Sequence, residues 1–283
     1  RYQYNVNVGT ASIVVTDRIG GNYTVSGTKS FTINKAQPDV SVVPTVTERT
    51  YHPSQALENS DLSGGIAIGV DGSALEGSWS FATAGIVPKA GNNSYEVIFT
   101  PIDANYTKVT TMVVVTVDKA VATVEELPVA SAIAYGDTLE TSTFSGGKMV
   151  CGNVVVPGTY EWMFNGVTPT VADSNSTTYS VMFVPEDTTN YEYVEMKVSL
   201  TVNKADPVVE IPWVMAEYGQ TLKDNSLPQG WEWEEESTSV GNAGTHSFNA
   251  IYTPEDTANY NVITREITVD VMRAGLLIVS VQT

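Results

Sequence analysis

Acidic side chains, two imidazoles, one thiol and paired indoles are the groups in this 283-residue chain that could do chemistry. The densest set is Glu232, Glu234, Glu235 and Glu236, interleaved with Trp231 and Trp233. Two carboxylates suffice for glycoside hydrolysis, and the five tryptophans could form a platform for stacking sugars. Alternation along a strand, however, sets Glu232 and Glu234 on the face opposite Trp231 and Trp233. That reads as a solvated face behind an apolar one. A nucleophilic triad needs an imidazole beside a hydroxyl or thiol. His52 lies in a Tyr-His-Pro turn and His246 in a Gly-Thr-His-Ser strand entry, and both read as surface residues. The single Cys151 leaves no intramolecular disulfide and no cysteine zinc site. No glycine-rich phosphate loop opens a helix. The expectation is a non-enzyme with no catalytic residue, cofactor or metal.

A further set of carboxylates sits in a phrase that occurs three times. It reads Phe99-Thr100-Pro101-Ile102-Asp103-Ala104-Asn105-Tyr106, then Phe183-Val184-Pro185-Glu186-Asp187-Thr188-Thr189-Asn190-Tyr191, then Tyr252-Thr253-Pro254-Glu255-Asp256-Thr257-Ala258-Asn259-Tyr260. Calcium loops need several oxygen ligands at alternating positions. Here each loop offers one or two carboxylates, which favours a structural turn, with calcium on Asp103, Asp187 and Asp256 as the alternative. Pro ends ladder pairing, Asp and Asn bond their own backbone and tolerate tight turns, and Tyr106, Tyr191 and Tyr260 then restart a strand.

The elements around the phrase are strands. After it, Val194, Met196, Val198, Leu200 and Val202 alternate with polar residues, and Val109, Thr111, Val113, Val115 and Val117, and Ile263, Arg265, Ile267, Val269 and Val271, fall on the matching face. This period of two marks half-buried strands. Thirteen residues after each phrase Tyr comes a basic residue followed by Ala: Lys119-Ala120, Lys204-Ala205 and Arg273-Ala274. Upstream lie aromatic pairs two residues apart: Trp79 and Phe81, Tyr160 and Trp162, Trp231 and Trp233. Such spacing puts both rings on one strand face, read as a sandwich core, with a ligand platform as the alternative. Farther upstream stand Tyr135-Gly136-Asp137-Thr138-Leu139 and Tyr218-Gly219-Gln220-Thr221-Leu222, with a looser Tyr51-His52-Pro53 running to Leu57.

A fixed period means stacked copies of one unit. The boundaries give a partial copy over 1–35, full copies over 36–119 and 120–204, a shorter copy over 205–274, and a tail strand over 275–283 that could start another copy. The third copy lacks about fifteen residues between Leu222 and Trp231. The corresponding stretches near 63–72 and 145–153 read as an added edge hairpin. New strands are expected at 38–42, 121–124 and 207–211. The fold class is all-β, tandem immunoglobulin-like β-sandwich modules arranged as an elongated rod. A last strand of about 10–13 residues makes each module about 35–45 Å long.

The formal net charge is −18, with 14 Lys and Arg against 32 Asp and Glu. No basic stripe can form, so nucleic acid is excluded as a partner. No apolar run reaches membrane-spanning length. The apolar run Leu276-Leu277-Ile278-Val279-Ser280-Val281 invites strand pairing, so strand exchange through the ends is considered beside a monomer.

Together the Tyr-Gly-x-x-Leu start, the aromatic-x-aromatic centre, the [Phe/Tyr]-x-Pro-x-Asp-x-x-Asn-Tyr phrase and the closing Val-x-Lys-Ala resemble the tandem bacterial immunoglobulin-like repeats of large Gram-positive surface proteins. Residues 4–36 look like a related repeat subtype. The first copy departs by one missing residue between Pro101 and Tyr106 and by His52-Pro53 where Gly is expected. The resemblance implies an extracellular, wall-attached setting, with attachment through regions outside this chain. It also implies a non-catalytic stalk of an adhesin-like protein. The alternatives are modules that bind glycan or host protein, or accessory domains of a secreted carbohydrate-active enzyme.

Overall fold

The computed structural model describes residues 1–275. The expected tail strand and its strand exchange fall on 276–283, outside the described residues. Among the described residues the chain is all-β, built from short strands and single 3-10 turns, with no α-helix. No helix there is long and apolar enough to cross a membrane. Two compact units are present. One comprises residues 1–125, 149–159 and 184–194; the other comprises 126–148, 160–183 and 195 onward.

In the first unit, strands Gly9–Thr16 and Ser26–Ile33 pair antiparallel from Gly9 opposite Ile33, with Tyr2–Gln3 at the edge. Only Ala11 of these two long strands is fully buried, so this partial copy leaves most of its side chains in solvent. The first full copy is a four-stranded sheet in the order Arg49–Thr50, Val109–Asp118, Gly91–Pro101, Gly77–Phe81. Its inward residues Phe81, Val97, Val113, Val115 and Val117 form a core with Leu57. Val46 and Leu62, from a second and smaller layer, pack onto that core. The alternation expected for Val109–Val117 is present: Val113, Val115 and Val117 are buried while Met112 and Val114 are exposed.

The second unit contains the four-stranded sheet Trp213–Glu217, Ile263–Met272, Gly244–Tyr252, Trp231–Trp233. Ile267, Val269 and Val271 pack with Trp231, Trp233, Leu222 and Val240. A further cluster joins Ile133, Leu139, Leu200 and Val202, with Trp162 and Tyr179 against it.

Two strand expectations fail. The strand expected over 194–202 is broken into Val194–Val198 and Val202–Asn203. Residues 207–211 carry no strand; the third copy's first strand is Trp213–Glu217. In the first copy the equivalent segment, Asp39–Val42, is a strand because Ile66–Ile68 pairs with it. That partner belongs to the stretch the third copy lacks. Without a neighbour to hydrogen-bond, Val208 and Ile211 stand exposed and no ladder forms.

Candidate functional site

The three phrases each join two antiparallel strands, and each does a second thing. The Ala that follows the basic residue of the preceding copy lies against the phrase. Ala36 N–H donates to Asn105 O at 2.9 Å and Thr107 N–H donates back to Ala36 O at 2.8 Å. Ala120 repeats this with Asn190 O (2.9 Å) and the Glu192 N–H (2.9 Å), and Ala205 with Asn259 O (3.1 Å) and the Asn261 N–H (2.9 Å). Tyr106, Tyr191 and Tyr260 therefore do not restart a strand. Each forms a single parallel bridge with the linker Ala, and the next strand begins at Val109, Val194 and Ile263.

The Asn side chain of each phrase closes a second contact with the preceding copy. Asn105 Oδ1 accepts from the Val8 N–H at 2.7 Å, Asn190 Oδ1 from the Ala90 N–H at 2.8 Å, and Asn259 Oδ1 from the Val171 N–H at 3.0 Å. The turn aspartates aim this acceptor. Asp187 Oδ2 holds Asn190 Nδ2 at 2.6 Å while Oδ1 takes the Asn190 N–H. Asp256 holds Asn259 in the same way at 2.9 Å. With one residue fewer, Asp103 reaches only the Asn105 N–H, at 2.8 Å, and Asn105 Nδ2 turns to Asn7 Oδ1 instead. Both carboxylate oxygens of Asp187 and of Asp256 are thus committed to Asn. Among the described residues no three His, Cys, Asp or Glu cluster as metal ligands.

Aromatic rings complete the clasp. Tyr51 meets Tyr191 edge to face at 5.3 Å, and Tyr135 meets Tyr260 at 5.2 Å, a geometry that aromatic quadrupoles favour. Each receiving Tyr is fixed by its own backbone. Tyr51 N–H donates to Asp118 O and Tyr135 N–H to Asn203 O, the residues just before the junction lysines. Burial first, then the neighbouring Cys151, Tyr51 and Asp187, push the Tyr191 hydroxyl up to about 12. The Tyr51 hydroxyl is raised as well, by burial and then by Asp187. At the first junction Tyr106 instead places its hydroxyl 3.3 Å from the Val70 N–H. Lys204 adds a hydrogen bond to Thr257 O at 2.6 Å, and Lys119 an ion pair with Glu192 at 4.0 Å.

No protein-family model matches the chain, and no curated protein does. Among solved structures the matches score low. Sidekick-1 immunoglobulin domains 1–5 is 10% identical over 94% of this chain and 67% of that one, with a TM-score of 0.33. Protocadherin Gamma B2 extracellular cadherin domains 1–5 is 14% identical over 96% and 67%, with a TM-score of 0.28. Drosophila OTK extracellular domains 3–5 is 10% identical over 85% and 99%, with a TM-score of 0.21. At such scores they carry no argument about function.

The aromatic pairs point inward. Phe81, Trp231 and Trp233 are buried, and Trp79, Tyr160 and Trp162 are half-buried. Trp79 packs on Phe99, Tyr160 on Phe183, and Trp162 on Phe144. Trp233 Nε1 donates to Asn225 O and Trp162 Nε1 to Ser142 O, so these indoles have their polar edge satisfied inside. Trp213 differs: it is 59% exposed, with Nε1 on Asp270 Oδ2 at 3.0 Å. Glu232 faces solvent, and Glu234 is taken up by Asn249 Nδ2. His52 Nδ1 contacts Ser54 Oγ two residues on, at 3.0 Å, and His246 Nε2 lies 2.7 Å from Asn242 O. Cys151 is buried.

Pro101, Pro185 and Pro254 sit at or just past the strand ends that lead into the phrases. The phrase reads from sequence as a hairpin turn alone. The clasping partners Val8, Ala90, Val171 and the linker alanines carry no chemical signature of their own. The clasped Ala belongs to the pair that precedes each phrase, Ala36 for Tyr106, Ala120 for Tyr191 and Ala205 for Tyr260, so the thirteen-residue spacing to the following pair does not point to it; the recurrence of both motifs in every copy is the one signal that could have found it.

Proposed function

We propose that the chain is a non-catalytic spacer from a secreted or wall-attached bacterial surface protein of adhesin type, an extracellular stalk whose modules are the copies over 36–119, 120–204 and 205–274. The observation that carries this reading is the clasp. Every described junction spends hydrogen bonds of repeated geometry, an Asn acceptor and, at two of them, an edge-to-face Tyr pair on holding neighbouring copies, and linkers this short restrict the hinge. A surplus of negative charge opposes self-association. Small-angle scattering on the 283-residue chain tests it. The expected profile is that of an extended particle on the order of 100 Å long, and a compact globule of the same mass would overturn the reading.

A second reading has its own observation. Trp213 stands exposed with its indole held by Asp270, which also accepts from Thr245 Oγ1, and Met215 is exposed beside it on the same strand. This is a preset ring of the sort that binds glycan or a host protein. A glycan-array screen of the chain beside Trp213→Ala tests the glycan form of this reading: binding lost in the variant supports a ligand face, and no binding by either removes the glycan.

A further inference from the structure

The third copy has the receiving half of a clasp, and among the described residues no phrase lies in it. Tyr218 occupies the position of Tyr51 and Tyr135. Its N–H donates to Met272 O, just before Arg273, as theirs do to Asp118 O and Asn203 O. Gly244 opens its strand with φ +140° opposite Val271, as Gly91 does with φ +106° opposite Val117 and Gly9 with φ +128° opposite Ile33. That register places Ala274 where Ala120 and Ala36 stand, and Ala243 where Ala90 and Val8 stand. The occupied copies are covered at these points and this one is not. Tyr51 is half-buried and Ala120 is 3% exposed, whereas Tyr218 is 55% exposed and Ala243 and Ala274 face solvent. The Ala243 N–H has no hydrogen-bond partner among the described residues.

We propose that Tyr218, the Ala243 N–H and Ala274 form a vacant socket for the Asp-x-x-Asn-Tyr loop of a further module of this repeat type. The chemistry selects that occupant. The socket offers a tyrosine face for a second ring edge-on, an N–H for a side-chain carbonyl, and a linker N–H and C=O for a parallel bridge. A second copy of this chain does not fit, because its own three phrases are already engaged by Ala36, Ala120 and Ala205. This inference rests on reading the phrase as the joining device.

The test is a chain in which residues 206–275 are repeated directly after Ala274, compared with the 283-residue chain by hydrogen exchange and by nitration of Tyr218. A seated loop should slow exchange of the Ala243 amide on the order of tenfold, to the level of Ala90, and suppress nitration. Asn259→Ala in the appended copy alone should reverse both. Exchange and nitration unchanged beside a folded appended copy would overturn the socket. If that copy fails to fold, appending 121–205 instead repeats the test with the longer module, and failure of both also counts against the proposal. Protection at Ala90 and Val171 in the same samples reports on the joining device itself, so the two ideas can fail separately.

Discussion

Removing the Asn190 carboxamide is the sharpest perturbation of the clasp. Asn190 is 4% exposed, its Oδ1 holds the Ala90 N–H at 2.8 Å, and its Nδ2 sits 2.6 Å from Asp187 Oδ2. Asn190→Ala deletes both bonds and leaves a half-buried N–H without a partner. A stranded group of that kind costs about 1–3 kcal/mol, which corresponds to roughly 5- to 150-fold faster local opening. Hydrogen-exchange mass spectrometry on peptides containing Ala90 and Ala120 reads this directly, because a multi-module chain has no single unfolding free energy. The effect should stay local, with the Trp231–Trp233 region of the second unit unmoved. Asn190→Asp sharpens the test. It keeps an acceptor for Ala90 but sets a second carboxylate against Asp187, so the junction should loosen at pH 7 and recover where one of the pair is protonated. Exchange at Ala90 identical in wild type and Asn190→Ala would refute the argument that this side chain pins the junction.

Other expectations follow from the same geometry. Ala120→Leu forces a large side chain into a buried linker site and should cost about 1–3 kcal/mol, seen as faster exchange through 118–122 with cores intact. Trp233→Ala should cost about 3–5 kcal/mol in the third copy, lowering its thermal transition without moving that of the first copy. The Tyr191 hydroxyl titrates at about 12 when folded, above the ordinary value near 10. The folded state therefore binds this proton more tightly, and the stabilisation is present below pH about 10 and lost as the pH rises through 12. Near-ultraviolet circular dichroism should show the junction tyrosines loosening in that window. Asp173 and Asp224 run the other way. Hydrogen bonds from Thr170 and from Thr221 hold these carboxyls below the usual range, so their contribution is present above pH about 4 and fades as the pH falls through their folded values.

The strands were legible because their side chains alternate. Val113, Val115 and Val117 turn inward while Met112 and Val114 turn out, as a half-buried sheet requires. Spacing of two likewise sets Trp231 and Trp233 on one face of their strand, and both are buried. What periodicity could not show is which strand lacks a neighbour. Val208 and Ile211 have strand-forming side chains, yet a strand needs a hydrogen-bonded partner, and the deletion that removed it lies in another segment. Nor could local reading show the clasp. Asp187 and Asn190 look like turn residues and are turn residues; their second role depends on Ala90, a hundred residues earlier in the chain.

Because each coupling pairs one copy's loop with the linker Ala and with an amide of the copy before it, a copy carries half of two connectors that share the Ala bridge and the Asn acceptor. Duplicating or deleting one whole copy leaves every remaining connector matched, with no new interface to invent. On the spacer reading proposed above, a gene segment that gains or loses one such unit by recombination keeps its connectors paired, and reach becomes a quantity that selection can adjust in single-repeat steps.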